Sequence, residues 1–466
     1  MLSRIKAGFS LFKQALVGSA TINYTEGSIA RASFLLAVPM ILEMAMESVF
    51  AIVDIFFVAG LGAEAVAAVG LTEAVISLLY AVAIGVSMAA TAMVARRIGE
   101  QNPEAAAMVA GQAIWIGAFI SLLVGTLGYW FYADILRLMG GDESLISTSA
   151  SYTQIMLSGS FTIVFLFLNN AVFRGAGDAS IAMRALVLAN GINIVLDPIL
   201  IYGWGPIPGM GVAGAAVATN IGRGIGIAYQ LYYLCSRGNR LQILWRHLVL
   251  QLGIVLQLLR ISVGGIAQFL IATASWVFLM RLVAQHGNEA VAGYTIAIRV
   301  VIFVLLPSWG LSNAVATLVG QNLGAGKPER AEQTVWQIAR YNLVYMVSVA
   351  LVLIFFPAWV MSYFSDQADV VLNGMQSLRI LSYGFVFLAV GSVVTQAYNG
   401  AGDTMTPTWI NGFSFWIVQI PLAWSLTSAA GWGPEGVYWS VFIADMTMSL
   451  IGTWLFMRGG WKSRSV

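Results

Sequence analysis

Residues 39–57, PMILEMAMESVFAIVDIFF, have the length and the apolar composition of a membrane-spanning helix, and yet they include Glu43, Glu47 and Asp54. A carboxylate near the centre of a bilayer costs about 2.5–3.5 kcal/mol. On an α-helix, which turns by about 100° per residue, Glu47 lies about 40° and Asp54 about 20° from Glu43. The three acids therefore form one stripe, and their cost in lipid predicts that this stripe faces protein or a water-filled cavity.

The composition of the whole chain is that of a polytopic membrane protein. Of 466 residues, 59% are hydrophobic and 9% are charged, whereas soluble domains are about 45–50% apolar and about 25% charged. The single cysteine, Cys235, excludes an internal disulfide. His247 and His286 lie far apart without a Cys or His companion, so we expect no metal site of that kind.

Apolar stretches close to the roughly 20 residues that cross a bilayer recur along the chain and predict an all-α fold with twelve transmembrane helices. The predicted spans are 34–59, 66–95, 105–132, 146–173, 180–203, 211–236, 255–284, 290–319, 332–357, 370–398, 406–428 and 436–457. Basic residues collect in the connections on one face, as at Arg96, Arg97, Lys327 and Arg330. By the positive-inside rule, both termini are then cytoplasmic.

Three short motifs recur at one constant offset. FRGAGD ending at Asp178 returns as YNGAGD ending at Asp403 (403 − 178 = 225), and EAVAAVG from Glu64 returns as EAVAGYT from Glu289 (289 − 64 = 225). IGEQNPE, ending at residue 104, matches LGAGKPE, ending at 329, again 225 apart. Each copy contains six spans, so both begin on the same side of the membrane. We therefore expect two six-helix lobes related by a pseudo-two-fold axis along the membrane normal, a plan found in secondary transporters.

The repeat also predicts the domain boundaries. They are a cytoplasmic segment 1–33, an N-lobe 34–236, an amphipathic linker 237–254, a C-lobe 255–457 and a cytoplasmic tail 458–466. The linker, RGNRLQILWRHLVLQLGI, mixes apolar and basic residues at helical spacing, which is typical of an interfacial helix.

The fifth span has a second polar stripe, formed by Asn190, Asn193 and Asp197 within about 60° on a helix. Pro198 follows and cannot donate to the carbonyl of Ile194, which predicts a bend with a free acceptor. Inward-facing carboxylates surrounded by amides can hold a proton or Na⁺, and exchange of that cation is the chemistry that ion-coupled export requires. Glu47, seven residues before Asp54, is a further candidate for this path.

The ordered set of features resembles the multidrug and toxic compound extrusion (MATE) family. It consists of six plus six spans, the Gly-Ala-Gly-Asp turns, and VDIFFVAGLGAEAVAAVG at the first hairpin, while NIVLDP in the fifth span resembles the DinF-like branch. The resemblance covers essentially the whole chain. It implies cation coupling at Asp54, at the pair Asn193 and Asp197, and at Asn170, with Thr219 beside them. These polar residues also have a structural alternative, since buried amides and hydroxyls often join helix to helix.

The second lobe lacks these acids. At the offset of 225, Asp54 lies opposite Leu279 and Asp197 opposite Leu422. NorM-type relatives have a glutamate in the seventh helix, where this chain has Ala272 with Gln268 as the nearest polar group. Asp445 is the acid deep in a second-lobe span, and an ion pair with Arg299 or Arg379 is an alternative to a functional role.

The sequence therefore favours a secondary transporter rather than an enzyme: a cation-coupled multidrug antiporter, with H⁺ as the coupling ion and Na⁺ as the alternative. The expected coupling residues are Asp54, Asp197, Asn193, Asn170 and Glu47; the expected substrate-binding residues are Asp54, Asn170, Asn193, Thr219 and Gln268; and any Na⁺ would bind at Asp54 and Asp197. The expected partners are lipophilic, often cationic drugs and the lipid bilayer, with no nucleic acid and no cofactor. We expect a monomer in the plasma membrane or in the inner membrane of a bacterial or archaeal cell.

Two rival functions remain open. A lipid-linked precursor flippase of a related superfamily could share the two-lobe plan, but its pyrophosphate substrate would require a strongly cationic cavity. An intramembrane enzyme has no supporting motif, because neither H-E-x-x-H nor G-x-S-x-G occurs.

Overall fold

The structure, a computed structural model, describes residues 2–18, 22–141, 143–236 and 238–464. Nearly all of this part of the chain is helical. A short antiparallel pair of strands, β1 (Gly203–Trp204) and β2 (Ile207–Pro208), connects two helices of the first half.

The first half is an N-terminal bundle, the N-lobe. Its helices are α1 (Leu2–Val17), α2 (Ile29–Ala59), α3 (Ala63–Gly99), α4 (Pro103–Leu138), α5 (Glu143–Ser158), α6 (Ser160–Ala176), α7 (Ala179–Tyr202) and α8 (Val212–Cys235). Helix α2 begins before the predicted start at residue 34, because the side chain of Ser28 caps it by accepting a hydrogen bond from the Arg31 backbone N–H.

The second half is a C-terminal bundle, the C-lobe. Its α-helices are α9 (Leu252–Ala284), α10 (Asn288–Gly324), α11 (Pro328–Phe355), α12 (Pro357–Ser362), α13 (Ala368–Tyr383), α14 (Phe385–Gly400), α15 (Met405–Asn411), α16 (Ile420–Trp424) and α17 (Glu435–Met457). π-Helical turns at Gly412–Gln419 and Ser425–Ala429 continue α15 and α16 into one long, irregular element. The last described turn is a 3₁₀ helix, Gly460–Ser463.

The twelve-helix, two-lobe prediction is confirmed. In the described part, seven helices are each long and apolar enough to cross a membrane, and the bent pairs α5–α6 and α13–α14 raise this number to nine. Helices α2 and α8 and the irregular element from Met405 to Ala429 complete the layout of six plus six. The structure thus divides the spans as the sequence repeat does.

The repeat is visible in the helix boundaries themselves. Helix α3 and helix α10 start at residues 63 and 288 and end at 99 and 324, and both differences are 225. The same offset relates α5 to α13. The fourth span of each lobe is bent at a glycine, by 42° at Gly159 and by 54° at Gly384, and 384 − 159 is again 225. Each lobe is therefore a copy of one six-helix design.

The linker differs from the predicted amphipathic helix. Between residues 238 and 251, a 3₁₀ turn at Trp245–Leu248 interrupts otherwise non-helical chain. The backbone of this segment is bound by α4 instead: Gln112 Nε2 donates to the carbonyls of His247 and Val249, and Gln112 Oε1 accepts from Gln251 N–H. Because α4 supplies these partners, the segment can remain extended. Residue 237, the first of the predicted linker, lies outside the described residues.

The lobes contact each other at the end of the molecule where α3 and α10 finish, which we call the terminal end. There the backbone of Gly99 lies against Gln321, and that of Gly324 lies against Arg96. Gln321 also donates to the carbonyl of Gly175 over 3.0 Å. The close approach continues towards mid-helix, where Gly85 of α3 packs on α9. Glycine at these positions allows the two backbones to meet.

Residues near the N-terminus strengthen this end. The hydroxyl of Tyr24 donates to the carbonyl of Gly177 in the N-lobe, while Arg330 of the C-lobe donates to the carbonyls of Tyr24 and Gly27. Lys327 donates to the carbonyl of Thr25. The segment from Ile22 to Ser28 is thus a bridge between the lobes.

Candidate functional site

The acidic stripe of α2 points into the protein, as its cost in lipid requires. Glu43 is buried, and Glu47 and Asp54 are partly buried. Glu43 Oε1 accepts a hydrogen bond of 2.7 Å from the guanidinium of Arg174 on α6 and one of 3.1 Å from the amide of Asn170. Glu43 is therefore paired with a cationic partner in this structure.

Asn170 belongs to the Glu43 cluster. Its amide nitrogen donates to Glu43, and its amide oxygen accepts from Gln230 Nε2 of α8 over 2.5 Å. Both functional atoms of the amide thus have partners in the closed interior of the lobe. Its expected role in coupling and in substrate binding remains a prediction. These contacts show that Asn170 also positions the carboxylate of Glu43.

Asp197, Asn193 and Thr219 form a second cluster, as the sequence predicts. All three are buried, and α7 continues through Pro198 to Tyr202. Asn193 Nδ2 donates to Asp197 Oδ1 over 3.1 Å and approaches Thr219 Oγ1 at 3.4 Å. The other oxygens, Asp197 Oδ2 and Asn193 Oδ1, are buried without a hydrogen-bond partner among the described residues. Carboxylate, amide and hydroxyl oxygens are the ligands that hard cations prefer.

Asp54 lies close enough to Asp197 for its charge to act on the Asp197 carboxylate. Asp54 Oδ1 is also buried without a hydrogen-bond partner in the described part of the chain. Asn190, one turn before Asn193, donates to the carbonyl of Met46 and so ties α7 to α2 over 2.9 Å. Two carboxylates from two helices thus share one region, and both retain a free oxygen.

Arg223 of α8 is a basic side chain close to the acids of α2 and α3. Its charge acts on Glu47, Asp54 and Glu73. It donates to the hydroxyl of Tyr80 over 3.0 Å and lies 5.3 Å above the ring of Phe50. No ion pair within 4.0 Å is formed by Arg223 with a described residue. One arginine therefore balances several carboxylates without neutralising any one of them by direct contact.

Glu73 and Tyr80 of α3 were not among the predicted site residues. Glu73 is an acid inside the predicted span 66–95, and its charge interacts with both Arg223 and Asp54. Its side chain is exposed. The cost of an acid within an apolar span would have identified it.

Gln268 does not join the N-lobe acids through a hydrogen bond. Its amide nitrogen donates to Asn399 Oδ1 over 3.1 Å and to the carbonyl of Thr404 over 2.9 Å, so that it ties α9 to the turn after α14. Its expected substrate contact remains a prediction.

Two six-helix bundles around a charged, buried interior define a membrane transport protein of the two-lobe type. A family model described as MatE matches residues 39–199 and 261–425, more than half of the chain. The chain belongs to the MATE family.

Relatives of known or assigned function align over nearly their whole lengths. The probable multidrug resistance protein NorM of Thermotoga maritima is 29% identical, covering 92% of this chain and 93% of that protein. The FAD transporter of Shewanella oneidensis is 26% identical, and the alignment covers 88% of this chain and 90% of that protein. A solved structure described as the outward-facing conformation of a multidrug resistance MATE family transporter matches with a TM-score of 0.89 at 26% identity, covering 96% and 99%.

Proposed function

We propose that the protein is a cation-coupled exporter of lipophilic, often cationic compounds. Asp54 and Asp197 carry the coupling, with Asn193 and Thr219 completing the site and Glu47 on the path to it. The observation that supports this most directly is that two carboxylates on α2 and α7 interact electrostatically while each keeps a buried oxygen without a partner among the described residues. Such oxygens gain a partner when a proton or Na⁺ binds.

H⁺ is the coupling ion that we favour, and Na⁺ is the alternative. A proton needs a carboxylate that can exist in either charge state, which two neighbouring acids in a low-dielectric interior provide. Na⁺ needs several oxygen ligands at once, which Asp197, Asn193 and Thr219 together offer.

The charge of the N-lobe supports cationic cargo. Glu47, Asp54, Glu73 and Asp197 lie within electrostatic reach of one another or of Arg223. This balance is unfavourable for an anion such as a pyrophosphate-linked lipid, and equally for the flavin nucleotide named for the Shewanella relative. Multidrug export, the function named for the Thermotoga relative, fits it better.

The proposed orientation in the membrane follows from the positions of the basic residues. Basic residues gather at the terminal end, so we place that end and both termini in the cytoplasm of the plasma membrane or of a microbial inner membrane. The lobes are joined there by Gln321, Tyr24 and Arg330. Rocking of the two lobes would alternately open and close this end. We propose that one chain suffices, because each chain already contains both lobes.

Efflux from proteoliposomes tests this proposal. The protein is reconstituted with a fluorescent organic cation inside, and a pH gradient or a Na⁺ gradient is imposed separately. Asp54→Asn and Asp197→Asn should each abolish gradient-driven efflux while the protein remains folded in the membrane. Asp134→Asn, which changes an exposed acid paired with Arg137, is the matched control and should transport normally.

Two results are decisive. Normal gradient-driven efflux in both neutral variants contradicts the assignment of Asp54 and Asp197. Efflux that follows the Na⁺ gradient alone replaces H⁺ by Na⁺ as the coupling ion.

A further inference from the structure

The C-lobe contains a cavity of about 390 Å³ that the coupling site does not use. It lies within one lobe, between helices α9, α10, α13, α14 and α17 and the π-helical turn at Gly412–Gln419. Its walls are mainly apolar and aromatic, and they include Trp276, Tyr294, Phe385 and Phe415. Ligand pockets for small organic molecules are typically about 300–1,000 Å³ and have this kind of lining.

One acid, Asp445 of α17, lines this cavity. It is ten residues after the start of α17 at Glu435, which is about 15 Å along the helix and near the middle of the span. The expected alternative, an ion pair with Arg299 or Arg379, is not formed: among the described residues Asp445 has no salt bridge, and Arg379 donates to the carbonyl of Ile354 instead.

The N-lobe residue at the position equivalent to Asp445 makes hydrogen bonds that stabilise a helix bend. Asn220 is the equivalent of Asp445, since 445 − 220 = 225. Asn220 stabilises the bend at Gly159: its Nδ2 donates to the carbonyl of Ile155 over 3.2 Å, and its Oδ1 accepts from the hydroxyl of Thr162 over 2.7 Å. A neutral amide thus supplies both a donor and an acceptor to the bent helix.

The C-lobe has lost this arrangement. The equivalent of Thr162 is Phe387, which cannot donate, and an ionised carboxylate at Asp445 cannot donate to the carbonyl of Ile380 as an amide could. The bend is still present at Gly384. Asp445 is therefore not needed as an acid for the fold, and its charge within a membrane span requires another explanation.

The aromatic walls complement that charge. Tyr294 lines the cavity and stacks on Tyr438 with ring centroids 5.4 Å apart. Ser275 lines it as well, and its hydroxyl donates to Gln419 Oε1 over 2.7 Å. Aromatic faces attract organic cations, most strongly where the cation is desolvated, and Asp445 supplies the opposite charge.

We infer that this C-lobe cavity binds an aromatic or otherwise lipophilic organic monocation, whose charge is held by Asp445. The site adds a second binding location to the proposed export function, on which its role in transport rests. Binding itself is independent of ion coupling and is measured without a gradient.

Ethidium, an aromatic monocation whose fluorescence rises on burial, is a suitable probe. Purified full-length protein is titrated in a background with Asp54→Asn and Asp197→Asn, which removes both proposed coupling acids. Adding Asp445→Asn supplies the side chain found at the equivalent N-lobe position, so the fold should be preserved. Ethidium should then bind at least about tenfold more weakly. Asp445→Glu, which keeps the charge, should retain most of the binding, and thermal unfolding checks the fold of each variant.

A neutral ligand provides the second arm. Phenanthridine has the ring system of ethidium without its permanent charge, so its affinity should be weak and unchanged by Asp445→Asn. Equal ethidium binding before and after Asp445→Asn in this background would overturn the inference, as would equal affinities for ethidium and phenanthridine before Asp445 is changed. Neither result bears on the coupling acids, which the gradient assay tests separately.

Discussion

The guanidinium of Arg174 on α6 donates a hydrogen bond of 2.7 Å to the buried carboxylate of Glu43 on α2. At the offset of 225, the same two positions of the C-lobe are Asn399 and Gln268, which are joined by a hydrogen bond of 3.1 Å. One contact between the first and fourth spans is thus an ion pair in one copy and a neutral amide pair in the other. The two lobes therefore join the same pair of helices, one through charged side chains and the other through neutral ones.

This relationship predicts a strong coupling between Glu43 and Arg174. Glu43→Gln leaves a largely buried guanidinium without its counter-ion, and Arg174→Asn leaves a buried carboxylate, so each change should destabilise the protein by about 3–5 kcal/mol. The double variant recreates the amide pair of the C-lobe and should recover most of that loss. Thermal unfolding of the purified variants in one detergent measures this.

The prediction is contradicted if the loss of stability in the double variant equals the sum of the losses in the two single variants. In that case the two side chains act independently and do not form a coupled pair.

A second prediction concerns the contact between the lobes. A methyl group on Gly99 would overlap the backbone of Gln321, and one on Gly324 would overlap the backbone of Arg96. Gly99→Ala and Gly324→Ala should therefore force the terminal end apart. Distance measurements between spin labels on the two lobes, placed near this end with Cys235 replaced by serine, should show a shift to longer separations.

Gly70→Ala is the matched control, because Gly70 lies on the same helix as Gly99 and has no atom within 4 Å of the added carbon. An unchanged distance distribution in both test variants would show that the terminal end does not depend on this close backbone contact.

Much of the architecture could be predicted from the sequence because its signals are local or periodic. Hydropathy, glycine and proline define the spans, and the constant offset of three motifs defines the lobes. The Asn193–Asp197 pair was predictable as well, since one helical turn separates the two residues. The pairing of Glu43 with Arg174 could not be predicted, because the two residues are 131 positions apart and meet only through the packing of their helices. The prediction of a helical linker was wrong for the same reason. The apolar–basic pattern of the linker suggests a helix, but Gln112, on a helix distant in sequence, binds its backbone.

We therefore expect Gln112 to hold the linker backbone in its observed conformation. It is fully buried and makes three hydrogen bonds to the backbone of residues 247–251. Gln112→Leu removes all of them and leaves two carbonyls and one N–H without that partner, at a cost of about 1–3 kcal/mol for each group left unsatisfied. Hydrogen exchange should accelerate at Gln251, whose N–H loses its acceptor. Gln154→Leu, which removes one bond to Tyr129 near the surface, should leave the linker unaffected.

Tyr24 provides a pH-dependent test of the bridge between the lobes. Burial raises the pKa of Tyr24 from 10.0 to about 12. The folded protein therefore keeps this proton more tightly than the unfolded chain does. The stabilising contribution is fully present below about pH 10 and is lost as the pH rises towards about 12.

Tyr24→Phe removes both the ionisation and the hydrogen bond to Gly177. At neutral pH it should cost about 1 kcal/mol, because one buried carbonyl loses its donor. From about pH 9 to about pH 11 its unfolding temperature should fall less steeply than that of the unchanged protein. Tyr363→Phe, which alters an exposed tyrosine on the opposite end, controls for general alkaline effects. Parallel slopes for all three proteins would mean that Tyr24 ionises as readily in the folded protein as in the unfolded chain.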